Sequence, residues 1–386
     1  MSIQQSTDRI LTTHVGSLPR PVNLLDLMKA KITELSYNPE VYQAQVFDAV
    51  KQCVRHQIEA GLDIVSDGEQ SKSGFSTYVS ERLDGFEARP QQKINFFPAE
   101  TAAFPEYYER YFAEAMLGSA IAPSAPLVCV GPVKYRGLEA LRRDIENLKA
   151  ATAGGKFHAA FMPSVAPGGV GTNEYYSTEE EYLHAVGAAL HAEYAAIVDA
   201  GFLLQIDDPF LMEIFADPDL DAAARRRRAN IHIEVINASL RGIPPDKVRF
   251  HTCYGINEGP RIYEAALADV AGYILNVNAC GLSFEAANPR HEHEYHLWET
   301  VRLPEGKVLI PGVITHASNI VEHPELIAER LVRFAQRVGR ENVVAGADCG
   351  FSTQATYRPE VHPTVVWAKF EAMRDGARLA TKQLWS

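Results

Sequence analysis

The sequence is poor in cysteine, in basic charge and in long apolar runs. Five cysteines among 386 residues are too few, and odd in number, for a disulfide framework, and no Cys-x-x-Cys redox pair occurs. Acidic residues outnumber basic ones by 49 to 37, and the net charge of -12 argues against nucleic acid or an anionic membrane as a partner. No apolar run reaches about 18 residues, so no membrane span is predicted.

Signatures of several ligand classes are also missing. Residues 1–5 lack the basic and apolar pattern of a secretion signal, which together with reduced thiols predicts a cytoplasmic enzyme. The glycine-rich segment Gly168–Gly171 has no Gly-Lys-Ser/Thr, and no strand-like run is followed by Gly-x-Gly-x-x-Gly. Nucleotide chemistry is therefore not indicated, and the expected partners are small molecules, with a homo-oligomer left open.

The sequence does contain a regular alternation of strand-like and helical runs. Amphipathic stretches such as 41–60 and 179–200 separate the strand-like runs, which predicts an α/β fold with a parallel sheet. The candidate strands are Ile10–Val15, Asp63–Asp67, Leu127–Val130, His158–Met162, Leu203–Asp207, Val248–Cys253, Tyr273–Val277, Val308–Ile314 and Val343–Ala347.

Leu127–Val130 differs from the other runs because it follows a long irregular excursion, 85–126, and continues into Gly131–Tyr135 like an edge element. Without it eight strands remain, which predicts a (β/α)8 TIM barrel. Polar residues follow each of the eight, whereas a doubly wound sheet brings only one or two strand ends to its site. We expect one domain over 1–386, with an insertion near 85–150.

Two of these strand ends carry a candidate metal site. His251 and Cys253 fall on one face of a strand because strand side chains repeat with period two, and Cys349 follows another strand. One imidazole and two thiolates suit Zn²⁺ and can leave a coordination position open for a substrate. The competing interpretation, a redox thiol pair, lacks the usual spacing.

Other strand ends supply candidate substrate-binding residues. Asp207 and Asp208 close one strand, where a carboxylate could hold an ammonium group or, alternatively, cap the following helix. Glu69 follows another strand in a segment that also fits an exposed acidic turn. The remaining candidates from the polar cluster after the first strand are His14, Gly16 and Ser17.

Two histidine features have competing interpretations. His316 follows the strand 308–314 and is a candidate general acid/base, or a core histidine bonded to the backbone. The tract Arg290–His296 resembles a metal-binding run, but the favoured interpretation is a solvated helix start with scattered charges.

Taken in order, these segments resemble the catalytic C-terminal barrel of cobalamin-independent methionine synthase and its single-barrel relatives, which include epoxyalkane:coenzyme M transferase. The resemblance covers roughly residues 8–375. The segments that carry it are Thr12–Arg20, Ala60–Asp63, Asp67–Glu69, Gln205–Pro209, His251–Tyr254, His316 and Asp348–Gly350.

The resemblance implies that His251, Cys253 and Cys349 hold zinc. It also implies that the Gly16 and Ser17 backbone, with the Glu69 and Asp207 side chains, grips the amino-acid part of a thiol substrate. His316, with Asp207, is then expected beside the reacting centre. The implied reaction is methyl transfer to homocysteine, giving methionine; the alternatives are epoxide opening by a sulfonated thiol, with Arg20 or Arg358 as its cationic partner, and a non-catalytic zinc thiol-binding protein.

Two departures from the family pattern stand out. The family has a glutamate zinc ligand at the end of the strand after His-x-Cys, and the strand assigned here, 273–277, carries no acid. Glu285 downstream, Cys280, or water in a three-residue site are the candidates for the fourth position. The family also stacks its folate on a tryptophan after the third strand, whereas the tryptophans here are Trp298, Trp367 and Trp385, which disfavours polyglutamyl folate as the alkyl donor.

Overall fold

The computed structural model describes residues 4–33, 35–92, 97–115, 119–122, 125–255 and 258–386. Within them, the strands are β1 (Leu11–Thr12), β2 (Ile64–Ser66), β3 (Leu83–Ala88), β4 (Leu127–Tyr135), β5 (Ala159–Val165), β6 (Thr172–Asn173), β7 (Leu203–Asp207), β8 (Val248–Thr252), β9 (Gly281–Phe284), β10 (Val308–Ile314) and β11 (Val344–Ala347). The helices are α1 (Val22–Ile32), α2 (Pro39–Ala60), α3 (Pro98–Ala103), α4 (Pro105–Glu114), α5 (Leu138–Thr152), α6 (Glu179–Asp199), α7 (Phe210–Ala216), α8 (Ala222–Ser239), α9 (Leu267–Ile274), α10 (Pro324–Val338) and α11 (Pro363–Leu384).

Eight strands form one parallel sheet that nearly closes into a barrel, in the order β1-β11-β10-β9-β8-β7-β5-β2. Several hydrogen bonds bridge the seam between β1 and β2, among them two that reach backbone carbonyls of the opposite segment. The backbone N–H of Asp63 donates to the Thr12 carbonyl (3.0 Å), and the Thr13 hydroxyl donates to the Ile64 carbonyl (3.1 Å). The predicted (β/α)8 barrel is confirmed, and the carboxyl ends of its strands share one face.

One of the predicted strands was wrong. Residues 273–277 do not form a strand; helix α9 covers Leu267–Ile274, and the sixth barrel strand is β9, Gly281–Phe284. The buried residues of α9 are Leu267, Val270, Ala271 and Ile274, a spacing with the period of a helix rather than the period of two that a half-buried strand requires.

The excursion after β2 builds structure outside the barrel. Strand β4 lies outside the barrel, as expected for the excluded run, but it is not an edge strand. It pairs antiparallel with β3 and parallel with β6 and so forms the centre of a separate three-stranded sheet. Helices α3 and α4 lie in the same excursion, and α5 packs against α2 on the barrel wall. A single domain with an insertion near 85–150 stays a prediction.

Local signals set the ends of the long helices. The Asn38 side chain accepts hydrogen bonds from the backbone N–H of Glu40 (2.8 Å) and Val41 (3.3 Å) and so caps the start of α2. The same helix ends at Gly61, whose φ of 91° is left-handed and suits glycine. Thr178 caps α6 through the Glu181 N–H (3.1 Å).

A fully buried arginine crosses the barrel interior. Arg249, in β8, donates to the Thr13 hydroxyl and to the His14 carbonyl, both at 2.9 Å, and its guanidinium lies 4.1 Å from the centre of the Phe161 ring. Burial lowers its pKa to about 9. These contacts join β8 to the segment after β1, which lies on the opposite side of the barrel.

Candidate functional site

The predicted metal set lies together at the carboxyl end of the barrel. His251 ends β8 with Cys253 just after it, and Cys349 follows β11; one ligand atom from each lies within 4.8 Å of the others. The two sulfur atoms are 3.4 Å apart and form no disulfide. The Ser283 hydroxyl contacts Nδ1 of His251 (3.0 Å), while the buried Nε2 has no hydrogen-bond partner among the described residues.

The protonation states of this set fit a metal ion. Burial lowers the pKa of His251 to about 3, so its imidazole is neutral, which is the form that coordinates metals. The hydrogen bond with Cys349, followed by burial, raises the pKa of Cys253. A cation beside the sulfurs would instead favour the thiolates. His251, Cys253 and Cys349 can therefore hold a metal ion, and Nε2 is the imidazole atom that would coordinate it.

An acid does follow the strand after His-x-Cys, contrary to the departure inferred from the sequence. The register of β8 and β9 pairs Thr252 with Phe284, so Glu285 emerges beside Cys253. The alternative ligand Cys280 precedes β9, and its side chain packs in the apolar cluster with Leu11 and Val308. Four strand residues span about 13 Å, which puts Cys280 at the opposite end of the barrel from the metal set.

Hydrogen bonds saturate both carboxylate oxygens of Glu285. Oε1 accepts from the backbone N–H of Tyr254 (3.0 Å), Oε2 accepts from Nδ2 of Asn288 (2.7 Å), and Nη2 of Arg261 donates to both oxygens (2.8 and 2.7 Å). Burial opposes ionisation, but the charges of Arg261, His316 and His291 outweigh it and lower the pKa of Glu285 to about 2. Glu285 is thus an ionised group fixed next to the thiols.

His316 and Asp348 complete this side of the site. A nitrogen of His316 lies within 4.8 Å of carboxylate oxygens of Glu285 and Asp348, and all three residues are buried. Burial, with the charge of Glu285, raises the pKa of Asp348 to about 6. The general acid/base role of His316 stays a prediction.

The Arg290–His296 tract is not simply a solvated helix start. His291 is 4% exposed and contacts two carboxylates, Glu264 (2.5 Å) and Glu294 (2.6 Å). Burial alone would lower the pKa of His291, but these hydrogen bonds outweigh it and raise the pKa to about 10. Glu264 also pairs with Arg261, which pairs with Glu285, so His291 belongs to a buried ion network next to Glu285.

The charge of His291 should make stability depend on pH. Its pKa is higher in the folded chain than the usual value of about 6.5, so its stabilisation is complete below about pH 6.5 and is lost as the pH rises towards about 10. We expect His291→Gln to lower the free energy of unfolding most below about pH 6.5 and least above about pH 10. Urea titrations at several pH values measure this difference. A pH-independent difference from wild type would contradict the ion pairing.

Two carboxylates line the same cavity as the metal set. Glu69 and Asp207 lie on its wall with Ser17, His251, Cys253 and Cys349. The Oε2 atom of Glu69 is buried without a hydrogen-bond partner in the part of the chain described, and Asp207 accepts from Nε2 of Gln205 (2.8 Å). Burial, with the charge of Glu69, raises the pKa of Asp207. A carboxyl group whose ionisation is opposed in this way, with a second carboxylate on the same wall, forms a site suited to a cationic group.

Gly16 permits the close approach of Glu69. A Cβ atom at Gly16 would lie 2.6 Å from Cγ of Pro163 and 2.9 Å from Oε1 of Glu69, and the φ of 146° is itself unfavourable for other residues. Ser17 follows on the cavity wall, and its carbonyl accepts from the N–H of Phe351 (2.9 Å), which ties the β1 end to the loop after Cys349.

Two predicted substrate-binding residues lie elsewhere. His14 is a core histidine: it contacts Oε1 of Gln57 (2.9 Å), and burial lowers its pKa to about 3. Asp208 accepts from the N–H of Phe210 (3.1 Å) at the start of α7, and its other oxygen lies 2.6 Å from Nε2 of His232. The structure therefore does not bring either side chain to the cavity wall, and Asp208 matches the helix-capping alternative.

Some residues of the site carried no clear signal in the sequence. Phe75, Pro209, Thr353 and Gln354 line the cavity from loops after the strands. Arg261 reaches Glu285, and Asn288 reaches Asp348, only through the fold.

The excursion covers this face of the barrel. The Tyr111 hydroxyl, on α4, donates to Oε1 of Glu360 (2.7 Å) in the loop after Cys349, and it accepts from the N–H of Glu258 (3.4 Å) in the loop after Cys253. One side chain therefore fastens the loops that follow both cysteines.

In the described residues, no helix has the length and apolarity needed to cross a membrane.

Comparisons with known proteins agree with this geometry. The model of the family described as "cobalamin-independent synthase, catalytic domain" matches residues 10–101 and 174–376. Methionine synthase from Sulfolobus acidocaldarius is 24% identical over 340 residues, 88% of this chain and 85% of the relative. The enzyme of that name from Thermococcus kodakarensis is 25% identical over 346 residues, 88% and 86% of the two chains.

A solved structure shares the fold. The B12-independent methionine synthase from Shewanella sp. W3-18-1, in complex with selenomethionine, superposes with a TM-score of 0.70 and 20% identity, over 97% of this chain and 99% of that one. The family match covers most of the chain, including every residue of the metal set and the carboxylate pair. This chain therefore belongs to the cobalamin-independent methionine synthase family, as a member of its catalytic-domain group.

Proposed function

We propose that this chain is a cytoplasmic zinc-dependent methyltransferase that methylates the thiol of homocysteine and so forms methionine. The main support for this proposal is that one cavity contains both a metal-binding set, His251, Cys253 and Cys349, and a pair of carboxylates, Glu69 and Asp207. The thiol of homocysteine suits the metal-binding set, and its ammonium group suits the carboxylates. The relatives named methionine synthase support the same reaction.

His251, Cys253 and Cys349 are the proposed zinc ligands. Glu285, beside Cys253, is the proposed fourth ligand, which would exchange one of its present hydrogen bonds for the metal. When bound, zinc supplies a Lewis acid that keeps a coordinated substrate thiol deprotonated at neutral pH, whereas a free thiol has a pKa of about 8.5. Glu69 and Asp207 bind the substrate ammonium, and the backbone at Gly16 and Ser17 orients the amino-acid end.

The substrate sulfur then attacks the methyl carbon of the donor, and the bond from that carbon to its leaving group breaks. His316, beside Glu285 and Asp348, is the proposed carrier of the proton that the leaving group takes up. The buried surroundings exclude water from the sulfur.

The pocket favours an aminothiol over a sulfonated thiol. The described residues that line the cavity include two acids and neither of the arginines that a sulfonate would need. Arg20 is committed to the Ser352 carbonyl (2.9 Å) and the Glu69 carbonyl (2.8 Å), and Arg358 is exposed. A sulfonate beside Glu69 and Asp207 would be repelled.

Product analysis tests the proposal. We expect the zinc-loaded protein, given homocysteine and a panel of isotope-labelled methyl donors that includes methyltetrahydrofolate, to form labelled methionine detectable by mass spectrometry. A parallel arm with a sulfonated thiol and an epoxide should give no thioether. Thioether only in that arm would assign epoxide opening instead, and tight homocysteine binding without product from any donor would assign a thiol-binding protein.

A further inference from the structure

The carboxylate of Asp348 reaches from one strand end to a loop two strands away. Asp348 lies between β11 and Cys349. Its Oδ1 accepts from the backbone N–H of Ala286 (2.7 Å) and Ala287 (2.8 Å), and its Oδ2 accepts from the N–H (2.9 Å) and Nδ2 (3.2 Å) of Asn288. All four donors belong to the loop that follows β9, although β10 lies between β9 and β11.

A glycine in β10 leaves room for the Asp348 carboxylate to pass over that strand. A Cβ atom at Gly312, in β10, would lie 2.0 Å from Oδ1 of Asp348 and 2.7 Å from its Cα and N atoms. Contacts this short do not occur for real side chains, so a residue with a Cβ would displace Asp348. Gly312 therefore gives the carboxylate its path across the strand.

The loop after β9 is also hydrogen-bonded to the segment that carries Cys253. Asn288 donates to Oε2 of Glu285 (2.7 Å), and Glu285 accepts at Oε1 from the backbone N–H of Tyr254, the residue after Cys253 (3.0 Å). A continuous series of hydrogen bonds thus runs from the residue before Cys349 to the residue after Cys253. This series links Asp348, Asn288, Glu285 and the backbone of Tyr254.

A second contact fixes the same loop from outside the barrel. Arg330, on α10, donates from Nη1 to the Val313 carbonyl and from Nη2 to the Ala287 carbonyl, both at 3.0 Å. The loop after β9 is therefore anchored to β10 as well as to Asp348, which leaves it little freedom to shift.

We propose that Asp348, given passage by Gly312, is a positioning residue that holds Cys253, Cys349 and Glu285 in their metal-binding arrangement. The inference rests on the metal site of the proposed function, and it assigns to Asp348 no contact with substrate. Residues that orient metal ligands through hydrogen bonds typically change metal affinity by about tenfold to a hundredfold when they are replaced.

Asp348→Asn and Gly312→Ala test the proposal from two sides. An asparagine has one acceptor oxygen where the carboxylate has two, so it turns an NH₂ group towards the donors of Asn288. We expect either variant to bind zinc about tenfold to a hundredfold more weakly in chelator competition. The cobalt-substituted forms should also show altered sulfur-to-cobalt and d–d absorption bands relative to wild type.

Two variants control for general loss of packing. Gly376→Ala creates a similar clash, 2.5 Å from Cβ of Ile327, between α10 and α11, and Asp144→Asn breaks a buried pair with Arg82. Both should lower thermal stability while zinc affinity and the cobalt spectrum stay as in wild type. If Asp348→Asn and Gly312→Ala behave like these controls, the positioning role is refuted; if wild type itself binds no zinc, the metal site of the proposed function fails instead.

Discussion

Cys349→Ser is expected to weaken zinc binding on the order of a hundredfold and to lower methionine formation further. Cys349 is one of three residues in the metal set, and its sulfur lies 3.4 Å from that of Cys253. A serine hydroxyl is a harder and far less acidic donor than a thiol, so it replaces a thiolate ligand poorly. Zinc held by four protein ligands is bound by about 10–16 kcal/mol, or about 3 kcal/mol per ligand, which is on the order of a hundredfold in affinity.

Methyl transfer should fall further than zinc affinity does, because the remaining sites must still hold the substrate sulfur in line with the donor. Metal content by elemental analysis after dialysis, together with methionine formation, measures both effects. Cys280→Ser is the matched control: this cysteine is equally buried but precedes β9, so its loss should leave zinc and turnover in place. Unchanged zinc affinity in chelator competition, together with full activity, in Cys349→Ser would refute the site.

Neutralising the carboxylate pair is expected to remove recognition of the substrate amino group. Glu69→Gln and Asp207→Asn each replace an acid on the cavity wall by an amide of nearly the same shape. A hydrogen bond between charged groups contributes about 1.5–3 kcal/mol, which corresponds to about a tenfold to hundredfold loss in kcat/KM for homocysteine. Zinc content should not change, because neither acid belongs to the metal set.

A substrate analogue separates recognition from general damage. The thiol acid that lacks the amino group of homocysteine cannot use the carboxylate pair, so wild type should handle it poorly and both variants should handle it no worse. Asp208→Asn is the control, since Asp208 contacts His232 and the start of α7; it should lower stability and leave the preference for the amino group unchanged. Equal losses with both substrates in Glu69→Gln or Asp207→Asn would contradict an ammonium site.

Much of the barrel could be read from the sequence because each barrel strand is a short local pattern with polar residues at its end. His251, Cys253 and Cys349 were recognisable because reactive residue types followed two such patterns in a chain with few cysteines. The prediction of the sixth strand was wrong for a local reason. The apolar end of α9 lies shortly before β9 in the chain, and the run 273–277 is rich in residues that also favour strands.

That misplaced strand had a direct consequence for the site. With the strand ending at 277, Glu285 lies eight residues beyond the strand end, too far along the chain to stand beside the thiols. With β9 ending at Phe284, the pairing of Thr252 with Phe284 puts Glu285 next to Cys253. A strand register depends on the neighbouring strand, so no pattern within residues 273–285 could establish it.

The barrel, the family and the residue types that carry the chemistry can be predicted from the sequence, because periodicity, strand ends and motif order are local properties of the chain. Three features depend instead on contacts between distant segments: which acids share the cavity, why His14 and Asp208 lie off its wall, and how Asp348 reaches Asn288 past Gly312. Asp348 and Asn288 lie 60 residues apart, and their hydrogen bond exists only because the barrel brings β9, β10 and β11 side by side.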